Sequence, residues 1–298
     1  MIKGAIHMTR LLDTTDDAKL HYSLSEILSI PAVDIRRYFT SNMRILRDVS
    51  EVANVDVNHF FRYVARRRGL SKLSFDDVFF EQITISHLTT RIGDTNPIGE
   101  PLYNLSDALV KETCFKEFLQ RKGLEFKEDQ GKMQTYYKGL LINWEEYRND
   151  YNNSSIGMIK RRFVGSKSVS QDKCVNGFLF SGGIHEHSDV DHLIYGPEIM
   201  QDICRVLGRL DILTEWQQQR KIFNISFKAD ISKVVFDYSH RLNTRQKIFR
   251  IYRYIINNFS KKMFGQWREY DNPKMRLTDT FSVPSTDIVG CQEIVIVH

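Results

Sequence analysis

Residues 182–198, GGIHEHSDVDHLIYGPE, put three histidines, two glutamates and two aspartates into one short stretch. Imidazoles and carboxylates are the side chains that ligate divalent metals and move protons near neutral pH. Crowding alone does not make a metal site, because the ligands must converge. Zinc takes about four ligands, and on a helix it takes histidines spaced i, i+4. His187 and His192 do not have that spacing, so one helical face cannot hold both. His185 and His187 would share one face of a strand, with Asp189 beyond them. Flanking glycines and the lack of an apolar period predict instead an exposed polar loop joining a strand to a helix, with no bound metal. A metal-dependent nuclease built on His185, His187, Asp189 and His192 is the alternative chemistry. Glu198 stands apart from these residues. It follows Gly196-Pro197 at an expected helix start, where the helix dipole favours a carboxylate.

A second row of reactive side chains lies in ISHLTTR, residues 85–91. The surrounding DVFFEQITISHLTTR is rich in β-branched and aromatic residues, which predicts a strand. Strand alternation then points His87, Thr89 and, if the strand reaches it, Arg91 to the same face.

A third feature is charge. No acidic residue lies between Asp237 and Glu269, while Arg245, Lys247, Arg250, Arg253, Lys261, Lys262 and Arg268 all do. RQKIFRIYRYIINNFSKKMFG predicts a helix over 245–264, with Ile248, Ile251, Tyr252, Ile255, Ile256, Phe259 and Met263 in one apolar stripe. Arg250, Arg253, Asn257 and Lys261 fall opposite that stripe. With Arg245 they would form a ridge suited to tracking phosphates. Smaller basic clusters occur at Arg62, Arg66, Arg67, Arg68 and Lys72.

The elements that must position these groups change character along the chain. LHYSLSEILSIPAVDIRRYF has helical apolar spacing on both sides of Pro31, and VNHFFRYVARRRGL reads as a helix ending at Gly69. Residues 1–72 are therefore expected to form a helical N-terminal segment, and 73–298 an α+β catalytic-type domain. In the latter, LSDALVKETCFKEFLQRKG predicts one helix capped by Asn104 and stopped by Gly123. LEF, MQTYYKGLLINW, CVNGFLF and IFNISFKADISKVVF predict strands, residues 144–172 a polar loop, and GPEIMQDICRVLG a helix.

The bulk numbers fit a soluble globular protein: 298 residues, 42% hydrophobic, 27% charged and a net charge of +5. No apolar run approaches the roughly 20 residues that span a bilayer, so no membrane partner is expected. The four cysteines show no C-x-x-C spacing and read as reduced thiols, which predicts a cytoplasmic protein. The mild basic excess permits a nucleic-acid partner without demanding one.

Five stretches together resemble ADP-ribosyltransferase-like toxins of bacterial defence and toxin–antitoxin systems. They are ISHLTTR, LSDALVKETCFKEFLQRKGLEF, DKCVNGFLF (172–180), GPE (196–198) and the closing VPSTDIVGCQEIVIV. They span most of residues 75–298. The resemblance implies a mixed, split β-sheet core with flanking helices, NAD as co-substrate, and transfer of ADP-ribose to a macromolecule in a toxin or antiphage role. It implies that His87 grips the cofactor, with Thr89 and Arg91 beside it. Asn176 and Gly177 would let the backbone approach the ligand, although a bulge or bend is the plainer account, and Phe178 or Tyr136 would stack on nicotinamide. A carboxylate must hold the ribose 2′-hydroxyl and offset the positive charge that develops as the glycosidic bond breaks. Glu198 is the first candidate for that role, and Glu269 and Glu293 are the alternatives. The family often places a Glu two residues before an Arg ahead of its last strand, but Lys274 stands there before Arg276. The basic ridge would favour a nucleic-acid acceptor such as RNA over protein. The N-terminal helices would present a face for an antitoxin or other inhibitory partner. The rival from another class is a non-catalytic nucleic-acid-binding module.

Overall fold

Pro31 separates the first two helices, because its ring removes an N–H and obstructs the preceding turn. After a short strand β1 (Leu11–Leu12), helix α1 (Asp17–Leu28) stops ahead of it and α2 (Ala32–Ser41) starts directly behind it. Asp16 caps α1 by accepting from the Lys19 N–H, and Ser29 closes it in the left-handed region. One residue, Asn42, separates α2 from α3 (Met43–Arg47), and its side chain donates back to the Tyr38 carbonyl. Helix α4 (Val57–Arg67) is capped by Asp56 and followed by Gly69 at φ 70°. The computed structural model describes residues 9–47, 51–93, 95–165, 171–236 and 242–296.

Strand β2 (Gln82–Ile92) comes next, then α5 (Leu105–Val110) and α6 (Cys114–Arg121). A single helix was expected over that last span. Asn104 and Gly123 do bound it, but Thr113 breaks it. The Thr113 hydroxyl donates to the Ala108 carbonyl and accepts from the Lys116 N–H, so it caps a new helix instead of continuing the old one. Strands β3 (Leu124–Asp129), β4 (Lys132–Tyr137) and β5 (Leu140–Leu141) follow. The expected polar loop over 144–172 contains α7 (Asn153–Phe163), which buries Ser155, Ile156, Ile159 and Phe163. The remaining elements are β6 (Asn176–Phe178), α8 (Ser188–Ile194), α9 (Glu198–Val206), α10 (Leu210–Gln219), β7 (Arg220–Asp230), β8 (Val234–Phe236), α11 (Thr244–Met263), β9 (Lys274–Leu277) and β10 (Ile288–Ile294).

The fold is therefore mixed helix and sheet. One sheet has the order β10-β7-β2-β6-β9-β8, with β1 parallel on β2, and a second has the order β3-β4-β5. β3, β4 and β5 pair antiparallel, as do β2 and β6 at Ser86 and Phe178. Among the described residues no helix is long and apolar enough to cross a membrane.

The chain divides into two compact units. The first comprises Met1–Ser86, Gly177–Ile184 and Ser226–Arg276. Its core is built around α11 and the N-terminal helices. Tyr252 is wholly enclosed, meets Phe61 edge-on at 5.0 Å and donates to the Val78 carbonyl at 3.0 Å. The second comprises His87–Asn176, His185–Ile225 and Leu277–His298. Trp216 and Phe118 meet edge-on at 5.0 Å in its core, among Ile156, Ile159, Ile199 and Ile203. Each such side chain contributes roughly 1.5–3 kcal/mol through burial.

Candidate functional site

The histidine-rich segment is not a loop. It forms a 3-10 turn at Ile184–Glu186 and then α8. His187 is buried, and its Nδ1 accepts from the Asp189 N–H at 3.0 Å, so an imidazole does the work usually given to Ser, Thr, Asp or Asn at a helix start. His185 and His192 are exposed. Among the described residues no group of three or more His, Cys, Asp or Glu side chains is placed to hold a metal ion.

The β2 row alternates only from Thr89 onward, because Leu88 is no more buried than His87 and Thr89. His87, Thr89 and Arg91 are all half-buried, between the buried Ser86, Thr90 and Ile92. Arg91 Nη1 donates to the Thr89 hydroxyl at 2.5 Å, and its Nε lies 3.7 Å from Glu100. His87 Nδ1 is 2.6 Å from the Asn176 carbonyl oxygen. A carbonyl only accepts, so Nδ1 carries the proton and Nε2 is left as an acceptor. Burial pulls the His87 pKa down to about 4; the Asn176 carbonyl opposes this and the Arg91 charge adds to it. The ring is thus neutral at physiological pH. Glu100 carried no signal in the sequence, since it sits in the NPIGEPLYN loop and only the fold brings it to Arg91.

Gly177 serves strand packing. A Cβ there would stand 2.5 Å from the Ser86 carbonyl oxygen and 2.6 Å from Ile85 Cγ2, so the close approach is to β2. Phe178 is a buried core ring, with Lys274 Nζ 5.6 Å from its centroid, while Asn176 is exposed.

Glu198 opens α9 directly after Pro197 and forms an ion pair with Arg162 of α7. One turn further on, Asp202 is nearly enclosed, and burial raises its pKa. Arg205 donates to Ser155 at 2.8 Å and lies 3.4 Å from Asp202. Glu198 is therefore one member of a polar clamp between α7 and α9. Glu293 lies 4.0 Å from Lys221, and Glu269 opens the 3-10 turn Glu269–Asp271. The charged group that acts on His87 is Arg91.

The basic ridge expected on α11 is not a continuous free surface. Asn257 is buried. Lys261 pairs with Asp271, Lys262 bonds Asp17 at 2.7 Å, and Lys247 donates to the Ile231 and Ser232 carbonyls at 3.1 Å. Arg250 lies over the Phe236 ring at 5.3 Å, and Arg245 lies over Phe75 at 5.5 Å and Phe249 at 5.7 Å. Arg253 is exposed. The cause is packing: α11 meets α3, α4 and the turns at Val52–Asn54 and Ile231–Lys233, so elements cover much more of it than the apolar stripe.

A free arginine face exists elsewhere in the same unit. Across α2 and α3, Ile35, Tyr38, Phe39 and Leu46 face the core, while Val33, Arg36, Arg37, Thr40, Met43, Arg44 and Arg47 are exposed. Those positions recur at spacings of three and four, although Ser41 and Ile45, off that pattern, are exposed as well. Residues 35–47 contain no acid. Arg37 and Arg67 both bond the buried Asp34 at 2.8 Å, which fastens α2 to α4. Arg36, Arg44 and Arg47 have no ion pair among the described residues. The unit that bears this face has 24 Lys/Arg against 15 Asp/Glu (+9), and the other has 18 against 22 (−4), together the +5 of the chain.

No family model, curated protein or solved structure matches the chain.

Proposed function

We propose that this protein binds the phosphate backbone of a nucleic acid through the arginine face of α2 and α3. The observation that carries the reading is Arg36 on α2 and Arg44 and Arg47 on α3 standing exposed in the basic unit, without carboxylate partners among the described residues. Three guanidinium groups spread over two successive helices can each meet a phosphate. Guanidinium is also the cation best shaped to grip phosphate oxygens. A charge-reversed R36E/R44E/R47E chain tests the reading against an R245E/R253E control on α11. Loss of RNA or DNA binding in the first chain alone supports it, and equal binding by both chains refutes it.

A second reading, NAD-dependent ADP-ribosyl transfer to a macromolecule such as RNA, draws support from the β2 row. Of the groups in NAD, that row suits the diphosphate and the ribose hydroxyls, with Arg91 for the former and Thr89 and the neutral His87 Nε2 for the latter. Glu198 would have to exchange Arg162 for the ribose to act as the acid. A toxin or antiphage role and an inhibitory partner belong to this reading. Turnover of NAD by the full chain, abolished in Glu198→Gln, supports it. Absence of any NAD loss or label transfer removes it and leaves the binding reading intact.

A further inference from the structure

The basic unit contains a cavity of about 250 Å3, and Val52, Phe236, Tyr254, Tyr270, Asp271 and Lys274 are among the residues that line it. Its two charged walls are engaged within the protein. Asp271 is held by Lys261 on one oxygen and by the Arg268 N–H at 2.9 Å on the other. Lys274 Nζ lies over the Phe178 ring, 5.6 Å from its centroid. What the cavity offers a ligand is therefore rings. Phe236 and Tyr254 stack with centroids 6.1 Å apart and planes 23° apart, and Tyr270, on the turn Glu269–Asp271, is 79% exposed. Neither tyrosine hydroxyl is hydrogen-bonded among the described residues, so each can donate to or accept from a ligand.

A flat, uncharged ligand with a π face and polar edges suits such walls, and a nucleobase has all of these properties. The volume lies just below the roughly 300–1,000 Å3 of pockets that hold drug-sized ligands, so one base enters and a dinucleotide does not. The cavity also lies close to the arginine face along the chain. Helix α3 and the turn Val52–Asn54 both pack on α11, the former with Ser260 donating to the Leu46 carbonyl at 3.1 Å. Val52 is five residues beyond Arg47, so covalent geometry alone keeps their Cα atoms within about 18 Å. At about 3.4 Å or more per nucleotide, a strand of roughly five nucleotides covers that distance. A base inside a duplex is paired and stacked, and it enters no cavity without leaving the helix. Given the backbone-binding reading of α2 and α3, on which this rests, we infer that the nucleic acid is single-stranded. One unpaired base stacks on Tyr270 in this cavity while the phosphates lie along the arginine face.

Fluorescence anisotropy of the full chain tests this with three labelled ligands: a short single-stranded RNA, the same strand in a duplex, and an abasic strand of equal length. The abasic strand keeps every phosphate and lacks every base. The base-bearing single strand should bind about fivefold or more tightly than the abasic one. Tyr270→Ala, at an exposed position, should weaken the single strand by about fivefold or more and leave the abasic strand and the duplex unchanged. Tyr270→Phe should restore most of that loss, because stacking needs only the ring. R36E/R44E/R47E should weaken all three ligands, so the cavity and the backbone-binding face fail separately. Equal affinity for the abasic and base-bearing strands, or a Tyr270→Ala chain that binds the single strand as the parent does, would overturn the base site and leave the backbone reading standing. Failure of the parent chain to bind any of the three would remove both.

Discussion

His87 gives the most quantitative consequence of the structure. Its folded-state pKa is about 4, because burial disfavours the charged ring and the Arg91 charge adds to that, against the Asn176 carbonyl. The unfolded value is about 6.5. Above that pH both states are neutral and the site makes no pH-dependent contribution. As pH falls from about 6.5 towards 4 the unfolded chain takes up a proton that the folded chain refuses, so stability declines through that window and then levels off. The gap of about 2.5 pH units corresponds to at most about 3 kcal/mol, an upper figure because the ring is only half-buried. His87→Asn keeps a donor for the Asn176 carbonyl and removes the titration. Thermal unfolding of both chains between neutral pH and pH 4 should therefore show a steeper acid loss for the parent, by about 1–3 kcal/mol. Parallel curves would mean that His87 protonates freely in the folded state, and the neutral donor–acceptor role assigned to it would be wrong.

Two other substitutions probe the elements that hold the candidate sites. Gly177→Ala would drive a methyl into the Ser86 carbonyl, which cannot move without disturbing the β2–β6 pairing; a loss of about 3 kcal/mol or more is expected in denaturant unfolding, and a change below about 0.5 kcal/mol would contradict the close approach. His187→Ala should cost about 1 kcal/mol or more by removing the α8 cap, while His187→Asp should recover part of it, as read by the unfolding midpoint; no recovery would point to packing of the ring rather than capping.

How much of this was legible in the sequence depends on whether the signal was local. The body and C-terminal end of α11 follow from the apolar period of Ile248 through Met263, and the α1–α2 boundary follows from Pro31. Alternation in ISHLTTR points His87, Thr89 and Arg91 to one face, and Arg91 does bond Thr89, but Leu88 is no more buried than they are. Periodicity does not reveal whether the opposite face of a helix is also covered, so Asn257 and Lys261 read as part of a phosphate-tracking ridge although Asn257 is buried and Lys261 pairs with Asp271. The α2–α3 stripe was equally periodic, but Asn42 interrupts it and its acid-free run is shorter than that around α11. Helix α8 was hidden because its cap is an imidazole, and α7 because Ile156, Ile159 and Phe163 are set among polar residues. Glu100 at Arg91 and Arg162 at Glu198 are tertiary pairings, and no spacing along the chain encodes them.

The salt dependence of RNA binding by the full chain tests the central claim most directly. If Arg36, Arg44 and Arg47 each displace a counterion, the slope of log K against log salt on single-stranded RNA should be about −2, so affinity falls roughly 15-fold between about 50 and 200 mM salt. R36E/R44E/R47E should flatten that slope and bind at least about tenfold more weakly at low salt. A slope near zero for the parent chain, or an unchanged slope in the triple variant, would contradict the assignment of this face to a phosphate backbone.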